Sequence, residues 1–405
     1  MTVEVVVAMS ELELRARLRD IERHLVDMPP HNASGSRDDL ERQRVALQRE
    51  LSVRAKAGAA TSRAASPTTT APDPRAGAPR EPTMRTPALA LGAFRRTTHV
   101  AAGPMPGQSY GEGIEVERDL HGACRDVRAD AVATDQHEVL DQASITGHLN
   151  VERAMVRLAM SGGEVPDALI GRPALPGLRG LVTQHVQDPS TAASAVLLDL
   201  GIGGTLAAYG RMQAGRKSGQ SSVQVMRPGI VDLLGDSCRG WARDGDVVKN
   251  LLDGVQRPPS LPPSVVDPDE EAWHELGPLP AGWVRRRRRI DVETRTDRTT
   301  VLSAFRDSWV DDENVQRSLH EWELHLELDV DGTVVHAHAT PRSLPFGSCP
   351  LVASEVPGIL GVSIDGLRHR TREVMGGVQG CTHLNDLLST IPLAVTAASR
   401  STRTS

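Results

Sequence analysis

The chain has 405 residues, of which 39% are hydrophobic and 2% aromatic, and a formal net charge of −6. That length calls for two globular units with non-globular segments between them, and the mild negative charge sets the chain apart from general nucleic-acid binders, which need a concentrated basic surface. The widely spaced Cys124, Cys238, Cys349 and Cys381 form no CxxC pair, which excludes a disulfide framework and suits reduced thiols in the cytoplasm.

The opening "MTVEVVVAMSELEL" has a short apolar run without a basic flank, so it does not read as a secretory signal, and either Met1 or Met9 can be the start. No stretch is long and apolar enough to span a membrane. A cytoplasmic protein is therefore expected.

Residues 10–56 predict a helical hairpin. Ser10 and Glu13 suit a capping box, Leu14, Leu18, Ile21 and Leu25 recur at alternating spacings of four and three, and a second helix carries Leu40, Leu47 and Leu51 on one face. Two helices alone bury little, so the hairpin either self-associates, docks on an unknown protein partner, or packs on its own chain. Residues 57–94 are rich in Ala, Pro, Thr and Gly without apolar periodicity and read as a disordered linker.

A middle unit is expected over 95–255 and a C-terminal unit over 272–392, separated by the Pro-rich joint 256–271. Four short matches run in the same order through both: "FRRTTHV" with "RRRRRIDV", "ACRD" with "AFRD", "LLDLGIGGTLAAYG" with "LELDVDGTVVHAHA", and "DSCRGW" with "GSCP". A duplication would explain them, with a helical insertion near 137–185 in the first copy; so would the general likeness of Arg-rich strands and hairpins. The predicted fold class is α+β: an antiparallel β-sheet with a C-terminal helix, a related but more helical middle unit, and the N-terminal hairpin.

"VRRRRRIDV" places five arginines in a row at 285–289. They suggest an anionic partner such as RNA, but alternate strand residues face opposite ways and aromatic interleaving is nearly absent. A solvated strand start is the expectation, and a nucleic-acid partner is not expected.

"HEWELHLELDVDGTVVHAHAT" (320–340) alternates apolar and polar residues on both sides of Asp331-Gly332, a strong hairpin signal. A two-residue turn there pairs Glu327 with His336 and His325 with His338, puts Leu324, Leu326, Leu328, Val335, Ala337 and Ala339 on the buried face, and leaves Glu323 with the histidines on the other. That second face reads as solvated or, less readily, as a metal site.

"GGVQGCTHLNDLL" (376–388) predicts a helix capped by Thr382, with Leu384, Leu387, Leu388 and Ile391 on its buried side. Cys381 then sits at a helix start, where the dipole favours a thiolate; a buried, inert thiol fits the same residues.

The segments "AWHELGPLPAGWVRRRRRIDV", "AFRDSW", "HEW", "ATPRSLPFGSCP" and "CTHLNDLL" resemble, in this order over about 270–390, the bacterial family named domain of unknown function 2889. The resemblance directs attention to His320, Glu321, Arg342, Cys349, Cys381 and His383 and implies no activity. The His325/His338 pair lies outside its pattern.

Two functions follow as expectations. One is an interaction or accessory protein assembled through residues 10–56. The other is an enzyme acting on an anionic small molecule, either with Cys381 as nucleophile and His383 or His320 as base, or with Cys349, Cys381, His320 and His383 as ligands of a divalent metal.

Overall fold

The computed structural model describes residues 21, 39–40, 43, 47, 88–108, 116–129, 137–174, 177–201, 230–253 and 276–401. The expected hairpin, most of the linker and the Pro-rich joint lie outside this set, apart from isolated helical positions such as Ile21 and Leu47, both buried.

Eight strands form one antiparallel sheet: β1 (Phe94–Pro104), β2 (Arg118–Ala129), β3 (His137–Leu149), β4 (Met155–Ser161), β5 (Val284–Thr294), β6 (Thr299–Val310), β7 (Gln316–Leu328) and β8 (Val334–Ser343), in the order β4-β3-β2-β1-β5-β6-β7-β8. Each half is thus a four-stranded meander, and β1 against β5 joins them. Helices α1 (Leu178–His185) and α2 (Ala192–Leu198) follow the first meander. After α3 (Ile230–Leu234), a 3₁₀ turn at Arg239–Trp241 and α4 (Asp246–Leu252), the second meander leads into a 3₁₀ helix (Cys349–Ile359), α5 (Leu367–Val374) and α6 (Thr382–Ser401).

Strand alternation sends even-numbered residues of β1 and β5 to the helix-covered face. There Val100, Ala102, Leu120 and Ile145 pack with α1 and α2, and Ile290, Phe305, Trp322 and Leu326 pack with the long 3₁₀ helix, α5 and α6.

The two meanders correspond in detail. β2/β3 and β6/β7 shift register at Asp126/Val127 and Asp307/Ser308, and β3/β4 and β7/β8 shift at His148/Leu149 and Glu327/Leu328. Each meander is entered through a left-handed glycine, Gly92 or Gly282, whose amide donates to Ala129 or Val310 at the end of the neighbouring strand. Repeated bulges at matching positions support duplication, because chance likeness of strands does not reproduce irregularities.

The correspondence corrects part of the sequence reading. "FRRTTHV" and "ACRD" do fall on β1 and β2 opposite β5 and β6. The counterpart of the β7–β8 hairpin, however, is β3–β4, within the region expected to be a helical insertion, whereas Leu197 and Leu198 end α2. Ala143, Ile145 and Leu149 do alternate into the core, but small residues and the exposed Val139 and Val156 blur the period of two. The arginines of β5 are also not solvated: Arg285 to Arg289 are 2–8% exposed, because β5 is central in the sheet.

The β7–β8 register is as expected, with Glu327 opposite His336 and His325 opposite His338. The turn itself is one residue longer: Asp329 pairs with Thr333 and Gly332 is left-handed at φ 77. The bulge at Glu327/Leu328 absorbs the extra residue and puts Val334 in the core where Val335 was expected.

Candidate functional site: an Arg-Asp-His-His cluster

Three neighbouring strands bring Arg286, Asp307 and His320 side by side on the helix-covered face, since Arg286 pairs in register with Asp307 and Asp307 with His320. The bulge after Asp307 fixes that alignment. A fourth group, His383, comes from the first turn of α6.

Asp307 is fully buried and accepts two hydrogen bonds from Arg286, 2.8 Å from Nε and 2.9 Å from Nη2. Its Oδ2 lies 3.5 Å from His383 Nε2 and 3.9 Å from His320 Nδ1. The two imidazole rings stack with centroids 3.6 Å apart. One donor atom each from Asp307, His320 and His383 falls within 4.8 Å of the others, the only such group of three among the described residues.

Burial lowers both histidines. His383 drops to about 3, helped by Arg286 and Arg288 against the pull of Asp386; His320 drops well below its ordinary value, helped by His383 and Arg286 against Asp307. Both imidazoles are therefore neutral at physiological pH and keep a lone pair for a proton or a cation.

The cluster opens through Arg286 and His383 into a cleft of about 250 Å³. Gly177 and Arg179 at the start of α1, Leu198 and Gly201 at the end of α2, and Thr382 and Asp386 on α6 complete its wall, so both halves of the chain contribute. The charges around it balance: Asp386 binds Arg179 at 2.5 Å and Arg288 at 2.6 Å, and Arg288 also binds the buried Asp199 at 2.7 Å. Burial works to raise the Asp386 carboxyl, but Arg288, Arg179 and Arg286 outweigh it and hold the group well below the usual carboxylate range.

Of the residues expected from the sequence, His320 and His383 meet here, and Cys349 and Cys381 do not line the cleft. Cys381, not Thr382, is the N-cap of α6: its carbonyl accepts from Asn385 at 2.9 Å, and its sulfur sits at the amides of Leu384 and His383. Leu384, Leu387, Leu388 and Ile391 are buried as predicted. The Cys381 thiol is 4.0 Å from His383 Nδ1, is 5% exposed, and is pushed up to about 11 by burial despite those amides.

Burial likewise pushes up Cys349, which packs beside Gly240. Glu321 and Arg342 sit on the opposite face in ion pairs with Arg306 and Glu323. Sequence reasoning did not single out Arg286, Asp307, Arg179, Asp199 or Asp386 as site residues; Arg286 lies in the arginine run weighed as a whole for an anionic partner, and Asp307 in "AFRDSW", which entered only through the repeat match and the family resemblance.

The glycines before Cys381 serve the backbone. A Cβ at Gly380 would collide with the Met375 carbonyl, the same oxygen that accepts from Asn385 Nδ2 at 2.6 Å. Gly380→Ala is expected to cost about 1–3 kcal/mol in urea unfolding and to displace the first turn of α6, so that His383 no longer reaches Asp307.

The fold and cluster define a class of antiparallel sheet protein with helices on one face and a carboxylate–imidazole centre between sheet and helix. Residues 284–397 match the model of a family described as Protein of unknown function (DUF2889), and Arg286, Asp307, His320 and His383 all fall within that match. No curated protein and no solved structure matches the chain. No helix among the described residues is long and apolar enough to cross a membrane.

Proposed function

We propose that the chain holds a divalent metal of borderline softness, zinc or ferrous iron, at a centre formed by His320, His383 and Asp307, and uses it on a small molecule entering the cleft between the two halves. The observation that carries this reading is the convergence of two imidazole nitrogens and a carboxylate oxygen within 4.8 Å beneath a cleft that leaves room for further ligands. Arg286 orients the carboxylate in the way that groups behind a metal ligand do.

The internal repeat separates scaffold from chemistry. In the first half Arg96 grips Asp126 as Arg286 grips Asp307, with contacts of 2.7 and 2.5 Å. The place of His320 is taken there by Asp141, which accepts from the amide of Ala192 at the start of α2 at 2.8 Å. The arginine–aspartate pair is thus common to both halves, and the two histidines are what the second half adds.

Metal analysis by mass spectrometry on the untagged full chain tests the proposal. One equivalent is expected at this centre, lost in His383→Asn and in His320→Asn and retained in Cys381→Ser. A parent protein free of metal after growth and reconstitution with zinc or ferrous iron would refute it, and so would a metal lost only with Cys381. An interaction role through residues 10–56 rests on the capping box and apolar spacing of that segment; comparing the sedimentation of the chain with and without residues 1–56 tests it.

A further inference from the structure

The exposed face of the β7–β8 hairpin gathers a second set of imidazoles. His336 and His338 are two apart on β8 and point the same way, as strand geometry requires. His325 on β7 lies directly opposite His338, and Glu327 lies opposite His336. Directly opposed side chains in a sheet start about 4.5–5.5 Å apart at Cβ, and diagonal ones remain within reach of a ring.

The rings of His325 and His336 have centroids 4.9 Å apart. Two imidazoles on one tetrahedral cation, each about 2 Å from it through nitrogen, have centroids roughly 5 Å apart. The His325 side chain is 38% exposed and its Nε2 stands 3.7 Å from Glu327 Oε1; His336 and His338 are exposed. No three of their donor atoms lie within 4.8 Å of one another as those of the Asp307 centre do, but being exposed they can turn about their side-chain bonds to close on an ion without disturbing the core.

We propose a second metal site here, in which His325, His336 and His338 supply three nitrogens to a divalent transition-metal ion and Glu327 supplies an oxygen. It lies on the face of the sheet opposite the Asp307 centre and shares no residue with it. Arg298, 3.4 Å from the far oxygen Oε2 of Glu327, steadies the carboxylate from the side.

Titration of the untagged full chain with cobalt(II), followed by its visible absorption, tests this site separately from the first. The parent is expected to take up two equivalents. The double variant His336→Asn/His338→Asn, with both changes on the surface, should lose one and keep the other, and His383→Asn should show the reverse. If the Asp307 centre binds nothing, the parent takes up a single equivalent, lost in the double variant and kept in His383→Asn, and the hairpin site stands. A double variant that binds as many equivalents as the parent overturns it.

Discussion

Asp307→Ala is expected to lower the free energy of unfolding by about 3–5 kcal/mol, the usual cost of removing one partner from a buried ion pair. The loss is large because the arginine stays behind. Arg286 is 8% exposed. Without Asp307 its nearest carboxylate oxygens are Asp386 Oδ2 at 3.4 Å and Asp199 Oδ1 at 3.9 Å, and both aspartates already serve Arg288.

Urea unfolding of the full chain measures the change. His383→Asn should lose much less, since it keeps a polar group at the edge of the cleft. Asp126→Ala should cost a similar amount, as it strands Arg96 in the same manner, yet leave metal content at the Asp307 centre intact. If Asp126→Ala were silent while Asp307→Ala unfolded the protein, the two pairs would not be equivalent parts of a repeated scaffold.

Local patterns were legible in the sequence, and long-range pairings were not. The β7–β8 hairpin could be read because strict alternation and an Asp-Gly turn sit within twenty residues, and its register survived a longer turn only through the bulge at Glu327/Leu328. The core side of α6 was legible for the same reason, although the cap shifted by one residue because the cysteine sulfur can take the first free amides.

Arg285 to Arg289 read as solvated because burying arginine is costly unless carboxylates meet it. Arg286 meets Asp307, 21 residues on, and the carboxylates that meet Arg288, Asp199 and Asp386, stand 89 and 98 residues away from it in sequence. His320 and His383 were found on segments resembling a family. Their convergence with Asp307 depends on a register shift after that residue and on where α6 begins, neither of which has a local signature. The cysteines attracted attention for their chemistry, but a helix start that favours a thiolate is outweighed when the thiol is packed into the core.

Arg288→Ala is expected to have an effect of the same size, about 3–5 kcal/mol, and to act on the joint between the halves. Arg288 is 2% exposed; its Nη2 reaches Asp199 at 2.7 Å and Asp386 at 2.6 Å, and its Nη1 reaches Thr390 at 2.8 Å. Asp199 follows α2 of the first half and Asp386 lies on α6 of the second, so one guanidinium from β5 ties both helices to the sheet. Removal leaves Asp199, 2% exposed, with Arg286 at 3.9 Å as its nearest remaining cation among these residues.

Arg288→Lys should fall between, since an ammonium keeps the charge but cannot span three acceptors with a planar fork. The acid limb of stability should move as well. The folded carboxyl of Asp386 is held below its unfolded value, so its contribution is present above the unfolded pKa, about 3.9, and is lost as pH falls through the folded one. With Arg288 gone the folded value rises toward the unfolded one, and acid unfolding should set in at higher pH than in the parent. A variant with unchanged urea and acid midpoints would mean that Arg286 and Arg179 alone hold these two aspartates, and that the halves are joined by the β1–β5 pairing and the apolar contacts around it.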